Sequence, residues 1–192
     1  MPLGNVSFSI SSNLRFRYEY QNNFNIKMYT NSRDNYLLKA FVPQAFWVRY
    51  SYGSGDEDPS DNKSQTFDGI FGAIDKYFGR MNILCWKNLK DYQLTYQLKL
   101  IKGLKITIDH HWFYLSQRGD YWYYANERPL RDVSGTGSDD LGREWDGFAV
   151  YDMNKHLQLQ LGICRLLPGT ALVKSGFHEK ADYIIFQTFI KF

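Results

Sequence analysis

Residues 109–113 read DHHWF, and Ser116 follows shortly after. A carboxylate, an imidazole and a hydroxyl are the parts of a nucleophilic triad, and paired histidines are common zinc ligands. On an extended backbone, neighbouring side chains point to opposite faces. His110 and His111 then cannot readily share a metal, whereas Asp109 and His111 do share a face. No nucleophile motif surrounds Ser116, so no catalytic residue and no metal ligand is assigned. A second cluster, DEDPSDN at 56–62, gathers oxygens that could hold a calcium ion. It lacks the twelve-residue spacing with Gly at six and Glu at twelve, and a solvated acidic loop is the preferred reading. RGD at 118–120 is a short chance match. The stretch 112–129, WFYLSQRGDYWYYANERP, is crowded with aromatic rings. Such rings can stack on sugars or form a girdle at a membrane interface, and the girdle is the expectation.

These residues need a scaffold, and the composition points to strands. The 192 residues include 15 Tyr, 14 Phe and 5 Trp but only 5 Pro, and aromatic side chains suit a pleated surface. Net charge is +3, from 23 basic and 20 acidic residues. The charges are interspersed, so no nucleic-acid partner is expected. Cys85 and Cys164 are expected to be unpaired small hydrophobes. No apolar run reaches the length of a membrane helix, but mean hydropathy of −0.47 does not exclude a membrane barrel, whose strands alternate. Residues 1–14 do not read as a signal peptide, so an export leader would have to lie outside this sequence.

Period-two alternation dominates. Leu157, Leu159, Leu161 and Ile163 share one face of 156–164, against Gln158, Gln160 and Gly162. Similar patterns mark 13–20, 92–100 and 104–115. Weaker ones mark 35–42, 45–53, 143–153 and 181–192. The connections alternate in length. IKGL (101–104), MNKH (153–156) and VPQA (42–45) are short, while 21–34, 54–90, 116–142 and 167–180 are long and polar. Two parts of these, 54–69 and 131–142, are rich in Gly, Asp, Ser and Asn and read as exposed loops. Outer-membrane barrels have this asymmetry, with short periplasmic turns and long external loops. The expectation is one domain over 1–192: an all-β, antiparallel, up-and-down transmembrane β-barrel of about eight strands. Alternation alone leaves open which face points inward.

Specific strings then match a known family. YSYGSGDEDPSDNKSQTFDGIF (50–71) resembles the SGD-x-D-P…TFD signature of the alginate export family of outer-membrane barrels. NKHLQLQLGICRLLPGTALVKSG (154–176), followed by KADYIIFQTFIKF, resembles that family's last hairpin. NLRFRYEY (13–20) looks like its first strand. The resemblance covers 45–192 and extends to 13–38. Family members are barrels of about eighteen strands, so the middle strands have no counterpart near 40–45.

The resemblance implies an outer-membrane location and a passive export or diffusion channel for an anionic polysaccharide, with no enzymatic activity and no cofactor. A non-conducting small barrel with a filled interior is the alternative. The implied partners are the lipid bilayer, the polysaccharide and the barrel-insertion machinery, whose signal the terminal aromatic resembles. Phe186, Ile190 and Phe192 would belong to that insertion strand. Polar positions of the alternation would line the interior: Arg15, Arg17, Glu19, Arg49, Lys99, Lys105, Asp109, Glu144 and Asp146. They would serve as a substrate path or as an internal salt-bridge network.

Overall fold

The computed structural model describes residues 9–14, 36–41, 45–58, 60–61, 63–67, 78–125 and 128–190. Eight strands form one antiparallel sheet. They are β1 (Ser9–Leu14), β2 (Tyr36–Phe41), β3 (Ala45–Tyr52), β4 (Leu89–Ile101), β5 (Leu104–Leu115), β8 (Asp140–Asp152), β9 (Leu157–Pro168) and β10 (Ala181–Ile190). The spatial order is β1-β2-β3-β4-β5-β8-β9-β10, a meander in chain order. The two missing numbers, β6 (Trp122–Tyr123) and β7 (Pro129–Arg131), pair with each other inside the connection between β5 and β8. Among the described residues, β1 and β10 do not pair with each other.

The expected strands match this sheet closely, except the first. It was expected at 13–20, and β1 ends at Leu14; residues 15–20 lie outside the described ones. Strands β4, β5, β8 and β9 are 12 or 13 residues long, about 40 Å at the usual rise. Two of the short turns have clear local causes. Gly103 takes φ +85° between β4 and β5, a conformation that favours glycine. After β8, the Asn154 side chain accepts from the N–H groups of His156 and Leu157 (2.8 and 3.0 Å) and closes the turn into β9.

One face of the sheet is apolar and open along the middle of its strands, with an exposed Arg165–Asp182 ion pair toward one end. Leu161, Ile163, Ile184, Phe186 and Ile190 are exposed on it, Ile184 and Phe186 by 70 % and 69 %. The opposite face is polar, and it is covered toward one end of the strands. Asp91, Gln93, Asp109, His111, Glu144 and Asp146 are all buried there. This inverts the arrangement of a water-soluble sheet, which hides its apolar side.

The cover is made by the long connections. Leu89, Phe113, Leu115, Leu141 and Leu166 stand at the strand ends, and Phe78, Leu84, Trp122, Val133, Ala171 and Leu172 pack on them. Each fully buried Leu or Phe in such a cluster contributes about 1.5–3 kcal/mol. Leu141 joins it because the β5–β8 register shifts between Phe113 and Tyr114, and such a bulge re-aims a side chain. The stretches expected as exposed loops, 54–69 and 131–142, do keep exposed residues such as Asp58, Ser60, Ser134 and Gly135, while Val133 and Leu141 join the cap. The packing of the cap was not legible because its core residues carry no period.

The cap is held by side-chain bonds to backbone. Gly53 continues the β3–β4 ladder, exchanging bonds with Leu89 (2.8 and 3.1 Å). A Cβ on Gly53 would lie 1.8 Å from the Trp86 carbonyl oxygen, so only glycine fits. Asn88, at φ +49°, donates to the carbonyls of Gln117 and Tyr121 (2.9 and 3.0 Å) and accepts from Gln117 N–H (2.7 Å). The PGTALVKSG string becomes helix α1 (Thr170–Lys174). Its end is closed by Gly176 at φ +97° and by Phe177 N–H bonding the Leu172 carbonyl (2.9 Å).

Candidate functional site

The polar face is the candidate site, and strand pairing sets its rows. Arg49, Gln93 and His111 lie side by side in register, continued by Glu144 and Leu166. The next row runs Trp47, Thr95, Asp109, Asp146 and Cys164. Further from the cap, Lys99 stands directly opposite Lys105. All six described members of the expected lining thus occupy one face. Arg15, Arg17, Glu19 and Phe192 lie outside the described residues. Phe186 and Ile190 lie on the apolar face.

Buried charge needs partners, because an unpaired ion away from water is costly. The acids near the cap are answered mainly by neutral donors. His111 Nδ1–H donates to Asp91 Oδ1 (2.9 Å). Thr95 Oγ1 and Gln93 Nε2 both donate to Asp109 Oδ1, the latter over 3.1 Å. Two cap residues supply further donors. Arg80 N–H donates to Asp146 Oδ2 (3.0 Å) and Met81 N–H to Glu144 Oε1 (2.9 Å). The Arg80 guanidinium lies 3.9 Å from Asp109 Oδ2 and 4.9 Å from the Phe148 ring centre. Gly79 holds φ +85°, and a Cβ there would come within 2.5 Å of the Glu144 carboxylate. The residues Gly79, Arg80 and Met81 are therefore seated on the polar face by backbone geometry.

The expected salt-bridge network takes a different form. Lys99 and Lys105 have each other as cross-strand neighbours and no carboxylate partner among the described residues. Like charges directly opposite destabilise a sheet. The reason is positional: the acids sit at the capped end and the lysines near the turn, too far along the strands to pair. Sequence reasoning missed Arg80 and Asp91. Asp91 continues the polar alternation of 92–100 by one residue and was legible. Arg80 sits in an aperiodic connection and was not.

The paper candidates for chemistry separate in space. His111 pairs with Asp91, Asp109 with Thr95 and Gln93, and Ser116 Oγ donates to the Gly53 carbonyl (2.6 Å). No Ser116–His111–Asp109 relay is assembled. His110 faces the other way, stacked 3.7 Å from the Trp145 ring centre. The cysteines are buried and not joined in a disulfide. Asp120 of the RGD string is buried. Its carboxylate accepts from Asp56 N–H (2.9 Å), Thr66 Oγ1 (2.7 Å) and Tyr123 OH (2.7 Å). Burial, and then the Asp120 carboxylate, pushes the Tyr123 hydroxyl well above its usual range, so it stays protonated and donating. Asp120 thereby ties both ends of the SGDEDPSDNKSQTFD string to the next connection. Asp120→Ala is expected to leave several of these donors unanswered, at about 1–3 kcal/mol for each that stays buried. Limited proteolysis should then cut the 54–67 segment faster while the strands stay resistant; an unchanged digestion pattern would refute this role.

The aromatic cluster at 112–129 splits three ways. Trp112 and Tyr114 stand on the apolar face; Phe113 and Trp122 enter the core; Tyr121 and Tyr124 lie exposed on the cap. The belt on the apolar face is assembled across strands instead, from Tyr50, Tyr92, Trp112 and Tyr114. The Tyr50 and Tyr92 ring centres are 4.8 Å apart and those of Tyr92 and Tyr114 6.1 Å.

A family model described as alginate export matches residues 39–185. The chain belongs to the alginate export family. The match takes in the capped sheet from β2 to β10, including the wall of buried acids and the residues seated on it. A search of curated proteins finds no match. In alginate export terms, the SGDEDPSDN string is the part of the cap that Asp120 fastens, and the PGTALVKSG string is the helix over β8 and β9.

Proposed function

We propose that this chain is a transmembrane β-barrel of the outer membrane whose polar face lines a passive path for an anionic polysaccharide. The observation that carries the reading is the inverted sheet: apolar side chains stand open to the surroundings along the middle of β8, β9 and β10, and carboxylates lie buried on the opposite face. A hydrocarbon environment rewards that order, and it demands that every backbone group be paired within the sheet. The apolar stretches from Tyr92 to Leu100 and from Leu104 to Tyr114 span 9 and 11 residues, the length that crosses a bilayer when tilted. Lys99 and Lys105 offer unneutralised positive charge to a polyuronate. Membership of the alginate export family supports the same substrate class.

A second reading has its own support. The seating of Arg80 and Met81 on Asp146 and Glu144 puts protein where solute would pass. The barrel would then be closed at the cap and serve a structural role. Reconstitution in planar bilayers separates the two. Stepwise conductance that oligouronate blocks is expected for the export path, and Lys99→Gln with Lys105→Gln should weaken the block several-fold. A silent bilayer containing folded protein would overturn the channel reading.

A further inference from the structure

On the apolar face, beside the cap, lies a shallow cleft of about 470 Å³ lined by Lys90, Tyr92, Trp112, Tyr114 and Asp139. It plays no part in the polar path, because it opens on the opposite side of the sheet. Register places Lys90 across from Tyr114, and Arg143 across from Trp112, so two cations flank β5 on this face. Two strand spacings, about 10 Å, and one row separate them.

The balance of charge in the cleft is positive. Asp139 is engaged by Arg118, whose Nη2 lies 3.3 Å from Asp139 Oδ1. Asp140 accepts from Thr170 N–H (3.2 Å). Among the described residues, no carboxylate pairs with Lys90 or Arg143. The walls are amphipathic rings, the side chains that settle at the headgroup level of a bilayer. Beyond the stacked His110–Trp145 row, the same face has only apolar or small residues on β5 and β8: Ile108, Gly147, Ile106 and Ala149. The cleft thus sits where a wholly apolar band meets charge.

We propose that this cleft seats the headgroup of an anionic phospholipid, one whose phosphate charge no headgroup cation offsets, with Lys90 and Arg143 holding the phosphate and the Tyr92, Trp112 and Tyr114 rings packing against the lipid's upper chain. The inference rests on the membrane reading above but concerns a different surface. Phosphate is matched by two unpaired cations, and the acyl chains continue along Ile108 and Ile106. A soluble phosphate compound would gain nothing from those rows.

The test uses the full chain refolded into vesicles of brominated phosphatidylcholine, or of brominated phosphatidylglycerol and unlabelled phosphatidylcholine in equal parts. Trp145 is also exposed on this face, so the lipid beside Trp112 is reported by the part of the tryptophan quenching that Trp112→Phe removes. The wild type is expected to be quenched more strongly per bromine by phosphatidylglycerol. Lys90→Gln and Arg143→Gln should each reduce that preference about fivefold. Lys90→Arg should keep it, and Lys155→Gln, at the far turn, should not change it. Inorganic phosphate added to the medium should not compete. Equal quenching by both lipids in a chain that inserts normally would overturn the lipid site alone, as would competition by free phosphate. Failure to insert into either vesicle would overturn the membrane reading and the site together.

Discussion

Leu161→Arg is expected to prevent assembly of the folded sheet in a bilayer, as the proposed membrane location requires, whereas Gln160→Arg, one residue earlier, leaves assembly near the wild-type level. Leu161 pairs with Ala149 on one side and Phe186 on the other, in the middle of the apolar rows of β8, β9 and β10. Gln160 pairs with Val150 and Gln187 on the opposite face. An arginine facing lipid near the bilayer midplane costs about 2–4 kcal/mol, a large share of the marginal stability of a domain. The same charge on the polar face meets amides and water. Folding into vesicles, read by heat-modifiable mobility and urea titration, measures the difference. If both variants fold equally well, or if Gln160→Arg is the one that fails, the assignment of faces is wrong. A soluble sheet would tolerate the exposed Leu161→Arg readily, so the experiment also separates the two solvents.

Gly79→Ala is expected to lift the residues 79–81 off the polar face and raise the open fraction of the reconstituted protein. The left-handed backbone at φ +85° costs a side-chain-bearing residue about 1–2 kcal/mol. The added Cβ would also press within 2.5 Å of the Glu144 carboxylate. Once displaced, the Arg80 and Met81 N–H groups no longer answer Asp146 and Glu144. Two freed carboxylates should turn the path toward cations and weaken block by oligouronate. Gly119→Ala is the control, because a Cβ there meets nothing within 4 Å. Matching single-channel records for the two variants would show that the seated segment does not gate the path. Silence from both, with folded protein in the bilayer, would favour the closed structural barrel.

The two halves of this chain differ in how openly the sequence declares them. The strands are legible because alternation is a local property. Leu157, Leu159, Leu161 and Ile163 against Gln158, Gln160 and Gly162 admit one backbone shape and one pairing style. The strings SGDEDPSDNKSQTFD and PGTALVKSG pointed to the right family, yet not to what they do. Their meaning lies in partners far along the chain: Asp120 for Asp56 and Thr66, and Leu141 and Leu166 for the apolar side of α1. The aromatic cluster shows the same limit. Its neighbours in sequence part company, and the belt on the apolar face recruits Tyr50 and Tyr92 from other strands.

The sequence by itself therefore determined the strand segments, the family and the set of side chains that share the polar face. Only the tertiary structure decided that this face is the covered one. Period two distinguishes two sides of a strand but does not label them; the label comes from which side the connections fold onto. It also decided how the buried acids are satisfied. Glu144 and Asp146 meet backbone N–H groups of Met81 and Arg80, 63 and 66 residues away. Contacts across such distances depend on how an aperiodic connection packs, and no pattern within either segment encodes them.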